Sequence, residues 1–193
     1  MRIRSADATT RPAYIERMIP RLWTVGHSTQ SLDQFLGLLA AHDIEVVADV
    51  RRYPGSRRWP HFAREALAEG LAARGLGYDW FPELGGRRPP RADSANTAWR
   101  SAGFRGYADY MATESFAEGL ARLADLGCGL RTAIMCAEAV WWRCHRALIA
   151  DGLRWAGFEV YHILGLNSSV LHPYTSAARI TEGLLSYAAP GAA

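Results

Sequence analysis

Lysine is missing from this chain: all 22 basic residues are arginine. The simplest source is a codon bias toward arginine, but the chemistry changes with it. Arginine offers a planar, permanently charged fork that suits phosphate and carboxylate. Net charge is also scarce, at +3, which is too little to argue for nucleic acid on its own. Cysteine is limited to Cys128, Cys136 and Cys144. An odd count without a secretory pattern argues against a disulfide framework, and the intervals of eight match no common zinc spacing. No apolar run approaches the ~20 residues of a membrane span, so no membrane partner is expected. The opening "MRIRSADATTRPAYIERMIP" has no apolar stretch of the signal-peptide kind, and a cytoplasmic location is expected.

What is present fits one globular domain of 193 residues with 49% hydrophobic and 21% charged content. Residues 1–20 read as a flexible leader, with Met18 an alternative start, 21–182 as the domain, and 183–193 as a flexible tail. Along the domain, strand-like and helix-like segments alternate. "RLWTVGHS" is a strand running into a turn. "SLDQFLGLLAAHDI" places Leu32, Phe35, Leu36 and Leu39 at helical spacing, with Ser31 and Gln34 as a capping box. "EVVADV" is a buried strand, "FAREALAEGLAARGL" a helix closed by Gly75 and Gly77, and "YDWFPEL" a strand. Residues 87–106 form a long Arg-rich loop. "YADYMATESFAEGLARLADL" is helical, "LRTAIMCAE" a strand, "WWRCHRALIADGLRWAGF" a helix and "EVYHILG" the last strand. The expected fold is α/β: a single three-layer domain around a mostly parallel five-stranded sheet, Rossmann-like or rhodanese-like.

A parallel sheet binds its ligand beyond the carboxyl ends of its strands. Those ends carry Gly26-His27-Ser28, Asp49 and Arg51, Glu83 with Gly85 and Gly86, and Cys136 with Glu138. Cys136, at the exit from "TAIM", is placed where a thiol nucleophile would face a helix N-terminus. Arg143 and Arg146, one turn apart on the expected helix, add positive charge. His27 or His145 would serve as base, with Glu138 and Asp49 as further acid–base or orienting groups. Cys144 falls with Trp141, Ala147 and Leu148 on the helix's apolar stripe and reads as core. The loop with Arg87, Arg88, Arg91, Arg100 and Arg105 interleaves Trp99, Phe104, Tyr107 and Tyr110. That mixture suits either stacking on nucleic-acid bases or a lid over a pocket. "RRYPGSRRWPHF" (51–62) repeats it beside Asp49.

Together "TVGHSTQSLDQFLGLLAAHDIEVVADVRRYPGSRR", "PELGG", "GFRGYADYM" and "MCAE…WRCHR.LIADGL" resemble the domain of unknown function 488 family, from about Trp23 to Leu164. The resemblance implies an α/β domain with its motif residues at one edge and supplies no reaction. "EVVADVRRYPGS" and "AIMCAEAVWWRCHRALIADGLRWAGFEVYHILG" are also similar to rhodanese-like domains. That second resemblance implies Cys136 as nucleophile and Arg143 or Arg146 as the anion holder. The segment departs from it in having no glycine between Cys136 and the helix.

The leading expectation is an enzyme acting on a small anionic substrate, containing phosphate or sulfur, through Cys136. His27, Asp49 and Glu138 would complete the catalytic set. Ser28, Arg51, Glu83, Arg87, Arg143, His145 and Arg146 would bind substrate. No metal ligand is assigned, and no cofactor is specified. The alternatives are a nucleotide or nucleic-acid binding module and a metal-dependent hydrolase.

Overall fold

The computed structural model describes residues 19–189. Each core strand is apolar on both sides, so the sheet they form must be covered twice. Strand β1 (Arg21–Gly26) feeds helix α1 (Leu32–Ala41), whose start is fixed by the Ser31–Gln34 capping box. Such a cap contributes about 1 kcal/mol. Strand β2 (Val46–Asp49), helix α2 (Arg64–Ala72) and strand β3 (Gly77–Trp80) follow. Helices α3 (Ala102–Tyr110) and α4 (Glu114–Gly129) lead to strand β4 (Thr132–Cys136). Helix α5 (Arg146–Trp155) leads to strand β5 (Glu159–Gly165). The five parallel strands stand in the order β3-β2-β4-β1-β5.

Strand alternation sorts the core into two layers. Trp23, Val25, Val47, Ala133 and Met135 face α1 and α2, packing on Phe35, Leu39, Leu67 and Leu71. Leu22, Ala48, Ile134 and Cys136 face the other way, onto Tyr107, Phe116, Leu123 and Leu148 from α3, α4 and α5. Each fully buried side chain of this kind contributes about 2 kcal/mol. The expected three-layer α/β domain is therefore present. Among the described residues, no helix is long and apolar enough to cross a membrane.

Three local expectations are corrected. A sixth strand, β6 (Ser168–Leu171), pairs antiparallel with β5 at the sheet edge. "NSSVL" is polar and short, and a tight turn rather than a helix introduces it. The tail read as 183–193 is partly structured. Strands β7 (Arg179–Thr181) and β8 (Leu184–Ser186) form a hairpin, and Tyr187 is buried. The Ala98 amide donates to the Tyr187 carbonyl (3.0 Å), and the Ala189 amide to the Thr97 hydroxyl (3.2 Å). Residues 1–18, most of the expected leader, and 190–193 lie outside the described residues. The third correction concerns the helix expected from Trp141. Trp141–Arg143 is a separate 3-10 turn, and α5 begins only at Arg146. Trp141 leaves the helical path because its ring stacks on His162 at 4.1 Å.

That stacked histidine belongs to a buried chain of hydrogen bonds with one consistent direction. Thr24 Oγ1 donates to His162 Nδ1 (2.6 Å), His162 Nε2 to His172 Nδ1 (2.9 Å), and His172 Nε2 to Asp151 Oδ1 (3.0 Å). The other Asp151 oxygen accepts from Thr175 Oγ1 (2.7 Å) and Tyr187 Oη (3.0 Å). Thr24, His162, His172 and Asp151 are all buried, so each lost partner leaves an unsatisfied group. Asp151→Asn keeps the volume and removes two acceptor sites. It should lower unfolding free energy by about 3 kcal/mol in urea titration; a loss below about 1 kcal/mol would show that the chain does not brace α5.

Candidate active site

Sheet parity separates residues that their positions in the sequence group together. Asp49 and His27 lie on the α1–α2 side, whereas Cys136 faces α5. Asp49 is fully buried and grips Arg51 with both oxygens: Nε to Oδ1 at 2.8 Å and Nη2 to Oδ2 at 2.6 Å. The Arg51 amide and the Tyr78 hydroxyl also donate to this carboxylate. A bidentate, charge-assisted pair of this kind is a rigid mount. Asp49 thus orients Arg51 and does not reach the cavity.

His27 stacks on Phe62 (4.0 Å). Its Nδ1–H donates to the Ser28 carbonyl at 3.0 Å, and its Nε2 accepts from Arg51 Nη1 at 3.4 Å. Burial, helped by the neighbouring Arg51 charge, pulls its pKa down to about 4. Both nitrogens are occupied and the ring is neutral at pH 7, so His27 is a brace for the first turn. Ser28 sits in the left-handed region (φ 49°) with its amide on the Ala137 carbonyl.

The open space lies on the other side. A cavity of about 490 Å³ is lined by Arg51, Arg52, Arg87, Arg143 and Glu138, with Cys136, Cys144 and His145 among its wall residues. Six residues singled out from sequence therefore meet here: Cys136, Glu138, Arg51, Arg87, Arg143 and His145. Arg87 holds φ 60°, a costly conformation for any residue with a Cβ and one that clusters at functional sites. Gly86 passes so close to His145 that a Cβ there would lie 2.7 Å from Nδ1.

Three expected binders are elsewhere. Glu83 is paired with Arg122 (2.6 Å), beside the Arg122–Asp79 bridge. Ser28 does not line the cavity. Arg146 is buried beneath the loop leaving β4, where it donates to the Glu138 carbonyl and, at 3.5 Å, to Thr24 Oγ1. A Cβ on Gly26 would overlap that same Glu138 carbonyl, so glycine is required where the loop crosses β1. Because α5 starts at Arg146, Arg143 is not one turn away on the same helix; it is exposed at the cavity rim.

The residue overlooked in sequence is Cys144. With the helix delayed, Cys144 is extended (φ −128°, ψ 148°); it is buried in the core as expected, but with its sulfur beside that of Cys136. Cys136 Sγ, Cys144 Sγ and a ring nitrogen of His145 lie within 4.8 Å of one another, the one such grouping among the described residues. A soft metal ion would use the same three atoms, although none was assigned from spacing. Cys144 Sγ is 3.6 Å from His145 Nδ1, while His145 Nε2–H donates to the Val50 carbonyl at 3.1 Å. That bond fixes the tautomer and leaves Nδ1 free to take the thiol proton. The adjacent Cys136 thiol holds the Cys144 pKa well below the usual thiol value, aided by His145 and the Arg146 charge. The adjacent Cys144 thiol, and burial, push Cys136 up. The signal for this in sequence was the adjacent Cys144-His145 pair, masked by the continuous helical reading.

The loop aromatics are used internally. Trp99 stacks on Phe104 (4.6 Å) and leans on Tyr187, and Arg88 covers Tyr110. A family model, Domain of unknown function DUF488, matches residues 31–153. No curated protein and no solved structure matches the chain significantly.

Two buried histidines set an acid limit. His27 at about 4 and His162 at about 2, the latter lowered by burial and by His172 and Arg146, stay neutral in the fold where the unfolded chain protonates near 6.5. Both pKa values are depressed, so their contribution is present above pH 6.5 and is lost as pH falls toward the folded values. Urea unfolding at pH 5 should show about 2 kcal/mol less stability per histidine than at pH 7.5. Equal stability at the two pH values would contradict the neutral assignment.

Proposed function

The chain belongs to the DUF488 family, and from its site we propose that it is a thiol-dependent enzyme acting on a small anionic substrate, with Cys144 as nucleophile. The observation that carries the reading is the Cys144–His145 contact at the floor of an arginine-walled cavity. His145 Nδ1 takes the Cys144 proton, and the resulting thiolate attacks the substrate. Cys144 lies two residues before the first turn of α5, where the helix dipole favours a negative sulfur. Cys136, expected to be the nucleophile, instead lies with its sulfur beside that of Cys144.

Arg52, Arg87 and Arg143 supply the charge that draws an anion in, and Arg51, locked by Asp49, supplies fixed positive potential at the wall. Glu138, an exposed carboxylate on the cavity wall, is a second group for proton exchange beside His145. The volume, about 490 Å³, suits a small molecule. Free thiols of this kind fit the reducing cytoplasm.

Alkylation of the native protein with iodoacetamide and with iodoacetate, read by peptide mass spectrometry across pH, tests this. Cys144 should label before Cys136 and keep labelling below pH 7. The anionic reagent should gain on the neutral one at Cys144 relative to the exposed Cys128. Replacing Arg87 and Arg143 by Ala together should remove that gain by about tenfold, since two cavity charges contribute about 1 kcal/mol or slightly more. Cys144 labelling no faster than Cys128 at every pH would overturn the thiolate. Protection of both buried thiols that lifts with a chelator would replace it with a bound metal ion.

A further inference from the structure

Cys136 is poorly explained as a packing residue. It is the last residue of β4, buried, and its sulfur faces a second sulfur across the site where a methyl group would fill the space as well. The two sulfurs leave different elements, the end of β4 and the extended residue before α5, yet both point into the α3–α5 layer. The segment between them carries the exposed Glu138, Trp142 and Arg143, and the two sulfurs already lie within 4.8 Å of each other. No disulfide joins them, and both thiols are free.

Resting on the reading of Cys144 as nucleophile, we infer that Cys136 is its resolving partner and that the substrate class is a small anionic disulfide. The Cys144 thiolate attacks one sulfur of the disulfide. The S–S bond breaks, and the leaving thiolate takes the proton held on His145 Nδ1. Cys136 then loses its proton to the freed imidazole, and its sulfur attacks Cys144 Sγ, expelling the second thiolate, which is protonated in turn. In sum, one disulfide is reduced to two thiols while Cys136 and Cys144 are oxidised to an internal disulfide. Arg87 and Arg143 at the mouth would hold carboxylates of the disulfide during both exchanges.

Oxidised glutathione, an anionic disulfide, is the probe. The reduced full-length protein is incubated with it without oxygen, quenched by acid, and mapped by mass spectrometry. The expected product is a Cys136–Cys144 disulfide with two equivalents of reduced glutathione released. Cys136→Ser, or Cys136→Ala should serine not fold, should stop at a glutathione adduct on Cys144. Cys144→Ser should slow adduct formation at Cys136 by more than tenfold. A wild-type protein that accumulates the Cys144 adduct without closing the internal bond would overturn the resolving role and leave the nucleophile reading intact. No reaction at either thiol would remove both.

Discussion

One buried cation organises this site. Arg146 has no carboxylate partner within ion-pair distance among the described residues, yet it is almost completely excluded from water. An uncompensated guanidinium there would cost several kcal/mol. A chain of hydrogen bonds links it to Asp151 through Thr24, His162 and His172, each donating to the next. The chain spreads the charge separation over β1, β5, α5 and the segment after β6. It also pins the loop leaving β4 through the Glu138 carbonyl. The position of both thiols follows from that anchorage, because Cys136 precedes the pinned loop and Cys144 precedes the anchored helix.

The site is assembled from both sides of the sheet, and the two sides contribute differently. From the α1–α2 side comes rigid charge, Arg51 held in a bidentate grip and seated on the Phe62 carbonyl. From the α5 side come two sulfurs and an imidazole with a fixed tautomer. They meet at the carboxyl edge between β2, β4 and β1, where the loops leaving adjacent strands diverge to opposite faces. A cleft opens there for purely topological reasons.

Much of this could be read from residue order. The capping box at Ser31, the five apolar strands and the polar strand ends are local signals, and local signals survive into the fold. Cys136, Glu138, Arg51, Arg87, Arg143 and His145 share the cavity because that edge rule holds. What escaped depended on contacts distant in sequence. Trp141 is taken out of the helix by a histidine 21 positions later, and Cys144 leaves the helix with it. Asp49 and His27 were correctly placed at the edge, but periodicity along one strand does not reveal which face a neighbouring strand turns toward the ligand. Strand β6 and hairpin β7–β8 lack the long apolar runs that announce a strand.

The wall of the cavity at Phe104 is supported from an unexpected direction. Phe104 rests on Trp99, Trp99 leans on Tyr187, and the backbone at Ala98 and Thr97 is tied to Tyr187 and Ala189. The end of the described chain is therefore a buttress behind the binding pocket, though far from the thiols in sequence. Removing residues 184–189 would therefore loosen a wall of the cavity that no inspection of the cysteine segment would associate with them.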